Sequence, residues 1–267
     1  MPVITLLTDF GSADEYVGVM KGVMLSICPP VSVVDISHQL EPQDIEQAAY
    51  LLPTYFHYFP EGTIHIVVVD PGVGSQRAIL AVHFRKHFFI APDNGVFSLL
   101  LRDQKSDTII EVNKSEYFLE PLSATFHGRD IFAALAAHMA CGTKIESLGT
   151  RRRKEDIVCL NGLTCQVTER GELIGKIISI DHFGNLISNI DSIQLRDFCR
   201  SAPSKQIHIT IGSLTIHGMV KTYADATSEV PLALIGSRGY LEIALNRANA
   251  QKKLKVRKGD RVRLTLS

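Results

Sequence analysis

Two stretches of this sequence hold side chains that together could manage a water molecule and its proton. Asp70-Pro71-Gly72-Val73-Gly74-Ser75-Gln76-Arg77 follows the apolar run Ile64 to Val69, and Phe126-His127-Gly128-Arg129-Asp130 opens a helical pattern. A carboxylate, a guanidinium and an imidazole converging on one crevice supply a proton acceptor, a fixed cation and a titratable ring. Each also has a plainer use. Asp70 can cap its own turn, Arg77 can pair with a surface neighbour, and His127 can be structural. A helix start disfavours imidazolium and pushes His127 toward its neutral form.

Further candidates stand at turns. Asp9 ends the apolar run Val3 to Leu7, where a carboxylate can grip a ribose diol through two acceptor oxygens or simply hold its own turn. The following Phe10-Gly11-Ser12-Ala13 is not a dinucleotide fingerprint. Asp181-His182-Phe183-Gly184-Asn185 joins two strand-like runs. There Asn185 offers a donor and an acceptor to an adenine edge and Phe183 a stacking face, unless the segment is only a decorated hairpin. Ser237-Arg238-Gly239-Tyr240 is a similar turn carrying a hydroxyl and a cation. Asp35, His38, Asp93 and Asp130 could contribute to a metal site, but with no HExxH and no cysteine pair a structural role is favoured.

Positioning these groups requires a scaffold, and the pattern changes midway along the chain. Apolar runs at Val3 to Leu7, Val31 to Ile36 and Thr63 to Val69 alternate with helical periodicity. One helix is expected from a cap at Asp14 to about Cys28, burying Tyr16, Val19, Met20, Val23, Met24 and Ile27; a second begins at Asp44. Ala78 to Phe84 and His87 to Ala91 read as an antiparallel extension, and Asp130 to Met139 as a further helix. This predicts an α/β N-terminal domain with a mainly parallel sheet over residues 1–155. The run Arg151-Arg152-Arg153-Lys154-Glu155-Asp156 reads as a solvated linker. Beyond it eight short strand-like runs, from Thr164 to Val167 through Arg261 to Leu266, predict a smaller all-β, barrel-like domain over 162–267.

Composition excludes several classes of partner. With 28 basic and 28 acidic residues the formal net charge is zero, so no long-range field draws the chain to nucleic acid or to an anionic membrane. No apolar stretch reaches the roughly 18 residues of a spanning helix. The start of the sequence reads directly into a strand without a leader pattern, and five scattered cysteines read as buried free thiols, so the expected location is cytoplasmic.

Taken together and in order, these fragments carry a resemblance. Thr8-Asp9-Phe10-Gly11, Val34-Asp35-Ile36-Ser37-His38, Val69-Asp70-Pro71-Gly72-Val73-Gly74-Ser75, Ala91-Pro92-Asp93-Asn94-Gly95, Phe126-His127-Gly128-Arg129-Asp130, Phe183-Gly184-Asn185 and Ser237-Arg238-Gly239-Tyr240 span residues 3 to 250. The chain resembles the S-adenosylmethionine hydroxide adenosyltransferase family, relatives of the fluorinase and chlorinase enzymes. The resemblance implies substitution at the ribose 5′-carbon of S-adenosyl-L-methionine, releasing adenosine and L-methionine with no cofactor and no metal. It implies that Asp70, Arg77 and His127 hold the water or hydroxide, that Asp9 binds the ribose, and that the segment at Asp14 lies near methionine. It implies that Asp181, Phe183 and Asn185 contact methionine and adenine, that Ser237 and Arg238 contact methionine, and that Asn246 and Arg247 meet adenine through their backbone. Glu242 joins this set as a substrate contact, although the halide-using enzymes have a small residue there. A homotrimer with sites between subunits is implied too.

The halide-using relatives have Tyr where this chain has Asp70, Ser where it has Gly128 and Trp where it has Gln43. An anionic Asp70 repels a desolvated halide and can accept a proton from water, so hydroxide is the expected nucleophile. Two other readings are carried forward: a metal-dependent hydrolase of a nucleoside-type substrate using Asp9, Asp35, Asp70 and His127, and a non-catalytic module that binds S-adenosylmethionine or adenosine.

Overall fold

A computed structural model of the protein describes residues 1–102, 108–200 and 202–267. It divides into two compact units, Met1–Leu160 and Asn161–Ser267. In the first, strands β1 (Val3–Thr8), β2 (Ser32–Ser37), β3 (Ile64–Val68), β4 (Ile79–Phe84), β5 (His87–Pro92), β6 (Thr108–Val112) and β7 (Gly149–Arg151) form a sheet in the order β2-β1-β3-β5-β4-β6-β7. Helices α1 (Tyr16–Ile27), α2 (Ile45–Tyr55) and α3 (Ala134–Ala140) lie on its faces, α3 being preceded by a π-helical turn over Gly128–Ala133.

Period-two alternation gives this unit a core on each side of the sheet. Ile4 and Leu6 of β1, with Ile64, Ile66 and Val68 of β3, meet Met20 and Met24 of α1 and Leu135 of α3. On the other face Leu7, Val67 and Val69 meet Ala48 and Leu52 of α2. Strands apolar on both faces are what a sheet covered on both sides demands.

Asp44 caps α2 as expected, its Oδ1 accepting the Gln47 N–H at 2.9 Å. The start of α1 differs. Glu15, not Asp14, stands at the N-cap and makes no side-chain cap bond. The buried positions of this helix are Val17, Met20 and Met24, and Tyr16 stays 41% exposed. The buried stripe starts at Val17, and the Tyr16 ring packs against Phe10 and Phe126 instead of entering the core.

The expectation of a mainly parallel sheet is met over half of its extent. β1–β2, β1–β3 and β3–β5 are parallel, whereas β4–β5, β4–β6 and β6–β7 are antiparallel. Arg85 and Lys86, both at positive φ, form the two-residue turn between β4 and β5, and so short a link joins only antiparallel strands. The charged run after β7 is no solvated linker. Arg151 ends β7, the Arg152 N–H bonds the Ile109 carbonyl at 2.8 Å, and the Arg152 guanidinium pairs with Glu111 at 2.6 Å. Arg151 and Arg152 are thus paired with β6, while Arg153 pairs with Asp156 inside the run and Lys154 with the Arg102 carbonyl, contacts that local composition cannot reveal.

In the second unit, β8 (Gln166–Val167), β9 (Leu173–Ile180), β10 (Leu186–Asp191), β11 (Ile207–Ile211), β12 (Leu214–His217), β13 (Pro231–Ile235), β14 (Tyr240–Leu245) and β15 (Arg261–Leu266) form an eight-stranded, wholly antiparallel sheet. Its path runs β12-β11-β15-β9-β10-β14-β13, with β8 on β9. Val220, just past β12, donates its N–H to Ala233 of β13 at 2.9 Å, so the two ends of the sheet nearly close. The unit is barrel-like but not all-β, because α4 (Ser192–Arg200) and α5 (Ala250–Leu254) also form. α4 buries only Leu195 and Phe198, and α5 is a single turn capped by Asn249, so both leave little periodic signal.

All five cysteines are free; Cys28 and Cys165 are buried, but Cys141 and Cys159 are exposed, which corrects the expectation of uniformly buried thiols. Among the described residues no helix is long and apolar enough to cross a membrane.

Candidate active site

Because β1 and β3 are parallel neighbours, their carboxyl ends deliver Asp9 and Asp70 to the same edge of the sheet. The turn after β3 is held at several points. The Val73 N–H returns to the Asp70 carbonyl at 3.1 Å, and Asn94 Nδ2 donates to the Val69 carbonyl at 2.8 Å. Gly74 has φ +78°, and a Cβ there would lie 2.4 Å from the Ala124 carbonyl oxygen. Glycine therefore lets this turn close against the segment that leads to His127.

Arg77 comes back onto Asp70. Its Nε donates to Oδ1 at 2.7 Å and to Oδ2 at 2.8 Å, and its Nη2 also bonds Oδ2. The same Nη2 reaches His127 Nδ1 at 2.9 Å. The three side chains thus form one chain of contacts, with those of Asp70 and Arg77 only 4% and 10% exposed. A guanidinium has donors and no lone pair to offer, so His127 Nδ1 must accept and the ring is neutral with its proton on Nε2. Burial is the larger cause holding the His127 pKa below its ordinary value; the Arg77 charge adds to it, against the opposing pull of Asp70 and Asp130. Burial, rather than the helix start, dominates.

Asp9, Asp70 and His127 line a cavity of about 680 Å³ together with Phe10, Tyr16 and Phe126. The three aromatic rings pack on each other with centroids 5.8, 6.2 and 5.0 Å apart. Asp9 Oδ2 accepts the backbone N–H of Gln43 at 2.7 Å, and Gln43 is held at φ +67°, a conformation that a non-glycine residue adopts only when its surroundings fix it. Gln43 lines this cavity as well. Gly128 is hemmed in, since an added Cβ would come within 3.2 Å of both Phe10 and Phe126. Asp14 is exposed and lies outside the lining of this cavity.

The remaining candidates share a second cavity, of about 550 Å³, in the second unit. Asp181, Phe183, Asn185, Ser237, Arg238, Glu242, Asn246 and Arg247 all line it. Asp181 organises its own loop, accepting the N–H groups of Phe183 and Asn185 at 2.9 Å each and the Asn185 amide at 2.9 Å. That loop holds Phe183 75% exposed at the cavity wall. Glu242 is buried and accepts the Tyr223 hydroxyl at 2.5 Å. Burial raises its pKa, with the Asp181 charge adding and the Tyr223 bond and Arg238 opposing.

Of the groups weighed for a metal, Asp35 pairs with Lys21 at 2.6 Å and with His38 at 3.0 Å, Asp93 accepts the Val158 N–H, and Asp130 is bound by Arg129 at 2.5 Å and by the Ser123 N–H. Sequence reasoning missed Tyr16 and Phe126 as cavity walls, although both flank motifs it used. It missed Tyr223 altogether, because nothing about that tyrosine's neighbours marks it.

A parallel-edge carboxylate bound to a guanidinium and a neutral imidazole, with a second polar cavity on a barrel-like unit, is the layout of a small-molecule enzyme rather than a nucleic-acid or membrane protein. The comparisons identify which. Residues 4–149 match the SAM hydroxide adenosyltransferase N-terminal domain and residues 175–263 the C-terminal domain of the same name, so the chain belongs to the SAM hydroxide adenosyltransferase family. It is 35% identical to the (R)-S-adenosyl-L-methionine hydrolase of Thermus thermophilus, over 99% of this chain and 100% of that protein. It is 29% identical to a fluorinase of Actinopolyspora mzabensis, over 100% of this chain and 98% of that one. Among solved structures, an uncharacterized conserved protein from Thermotoga maritima superposes with a TM-score of 0.89 at 33% identity, covering 98% of this chain and 99% of its own.

Proposed function

We propose that this protein hydrolyses S-adenosyl-L-methionine to adenosine and L-methionine by attack of water or hydroxide on the ribose 5′-carbon. The observation that carries this reading is the contact chain Asp70–Arg77–His127 beside a cavity that also holds Asp9. Fluorinases perform their named chemistry on a related chain, but the carboxylate at Asp70 favours water over a halide.

The roles follow from donor and acceptor inventories. Neutral His127 has its Nδ1 lone pair engaged by Arg77 and its proton on Nε2, so it orients the nucleophile and has no site left to take a proton. Asp70 has only acceptor oxygens, and four lone-pair positions between them, so it takes the proton that water gives up. The new bond forms between oxygen and the 5′-carbon; the carbon–sulfur pair leaves on sulfur, which ends as the neutral thioether of methionine. A sulfonium cation and an incipient hydroxide neutralise each other on the way, so a dry, low-dielectric pocket favours the step. Alignment of oxygen, carbon and sulfur contributes on the order of 7–11 kcal/mol in well-oriented systems.

Asp9 is the ribose ligand of this account, and the resemblance assigns Asp181, Phe183 and Asn185 to methionine and adenine and Ser237 and Arg238 to methionine. Asp14 is kept near methionine on the resemblance alone. The account needs no metal and no cofactor; a cytoplasmic setting is proposed from the cysteine usage and a homotrimer from the resemblance, and light scattering that gives the mass of a monomer or dimer would contradict the assembly. The activity is tested by incubating the full chain with each sulfonium epimer of the substrate after exhaustive treatment with a chelator, since the Thermus relative is named for the (R) form. Adenosine and methionine in equal amounts support the proposal. Tight binding with no product, or product only after a divalent metal is restored, contradicts it.

A further inference from the structure

On the face of the sheet covered by α1 and α3, the two helices end at cysteines. Cys28 directly follows α1 and donates its N–H to the Met24 carbonyl, and Cys141 directly follows α3. The Cys141 thiol donates to the carbonyl of Ile27, the residue next to Cys28, at 3.7 Å, which brings the two cysteines side by side at the ends of their helices. One is buried and the other exposed.

We propose that Cys28 and Cys141 are a reversible dithiol–disulfide pair, closed by peroxides or by small disulfides such as oxidised glutathione. The arrangement divides the work. Exposed Cys141 meets the oxidant and buried Cys28 resolves the product. With a disulfide oxidant, the Cys141 thiolate displaces one glutathione thiolate and carries the other half as a mixed disulfide. Cys28 then attacks the Cys141 sulfur, the protein disulfide forms, and the second glutathione leaves with the Cys28 proton. With a peroxide, the Cys141 thiolate attacks one oxygen, the oxygen–oxygen bond breaks with the other oxygen leaving as hydroxide or alkoxide, and the sulfenic acid formed is converted by Cys28 to the disulfide with loss of water. With the Cys141 sulfur already against the carbonyl of the residue that precedes Cys28, local movement brings the two sulfurs to the bonding distance of about 2.05 Å.

The position gives the bond a consequence. Tyr16, at the other end of α1, and His127, just before the π-helical turn that leads into α3, both line the first cavity. A bond between Cys28 and Cys141 ties together the far ends of the two helical segments whose near ends carry those side chains. It does not depend on the reaction proposed above.

The test treats the full-length native chain with oxidised glutathione near pH 8, followed by non-reducing digestion and mass spectrometry. The expected result is a peptide linking Cys28 to Cys141 that dithiothreitol removes. Cys28→Ser should trap Cys141 as its glutathione adduct, and Cys141→Ser should leave Cys28 unmodified while exposed Cys159 still reacts. The proposal is overturned if Cys141 carries glutathione while Cys28 stays a free thiol, if Cys159 alone reacts, or if the link appears only after denaturation.

Discussion

Arg77 is the residue on which the other two depend, because its one guanidinium reaches both Asp70 and His127. A lysine is a point charge without the planar fork that binds a carboxylate twice and still reaches a ring nitrogen. Arg77→Lys should therefore keep the fold and lose roughly 10²–10³-fold in kcat, read by steady-state kinetics; unchanged turnover would remove Arg77 from the account. Asp70→Asn replaces the proton acceptor with an amide and should cost about 10²–10⁴-fold in turnover while substrate still binds, which calorimetry on the variant can check. The pH dependence follows from His127, whose pKa is lowered chiefly by burial. Its working form is neutral, so activity is present above the depressed pKa and is lost as pH falls through it. The acid limb of kcat/KM should lie below the ordinary histidine value of about 6.5. A limb above that value would mean that a different group controls the step.

At the scale of elements, the turn between β3 and β4 decides where Arg77 arrives. Its Gly74, set against Gly62 in the turn before β3, separates backbone strain from close packing. Gly74 and Gly62 both have positive φ, but a Cβ at Gly62 meets nothing within 4 Å, whereas one at Gly74 strikes the Ala124 carbonyl. Gly62→Ala should cost only about 1 kcal/mol of backbone strain and leave turnover alone. Gly74→Ala should cost more, about 2–3 kcal/mol in denaturant unfolding, and lower turnover as well, because the turn must open. Equal effects at the two positions would show that close packing of this turn is unimportant. Much of this level was legible. β11, β12 and β15 fall on the residues expected from alternation alone, and α2 starts at its expected cap. What escaped was pairing at a distance. β6 and β7 are short strands recognised only by their partners, and the arginine run looked like a linker because the acid it binds, Glu111, is forty residues away. Tyr16 escaped for the opposite reason: it fits the helical stripe but packs against the rings of Phe10 and Phe126 at the cavity instead of the core.

At the scale of the whole molecule, stability should carry its own pH signature, away from the site. His65 is fully buried, its Nδ1 2.7 Å from Thr5 Oγ1 and its Nε2 3.3 Å from His87 Nδ1. Burial, then the neighbouring His87, pushes its pKa down to about 3, and His87 is lowered too, also by burial first. A histidine with a depressed folded-state pKa binds protons more readily when unfolded. Its contribution is therefore fully present above the unfolded value of about 6.5 and is lost as pH falls toward 3. The melting temperature should drop steeply across that window, and His65→Gln, although less stable overall, should flatten the slope there. A wild-type profile flat from pH 6.5 to 4 would contradict the burial argument.

The candidate site was legible in the same uneven way. Turn residues and strand ends led to Asp181, Phe183, Asn185, Ser237 and Arg238 in the second cavity and to Asp9, Asp70 and His127 in the first, whereas Glu242, Asn246 and Arg247 came from the family resemblance alone. The bond from Arg77 to His127 joins residues fifty apart and became visible only in three dimensions. The central claim is that solvent oxygen attacks the 5′-carbon. Turnover of S-adenosyl-L-methionine in water enriched in oxygen-18, with both products examined by mass spectrometry, tests it most directly. The account predicts one heavy oxygen in adenosine, at the 5′ position, and none in methionine. Adenosine without label, or label in a methionine-derived alcohol released with a thionucleoside, would contradict it.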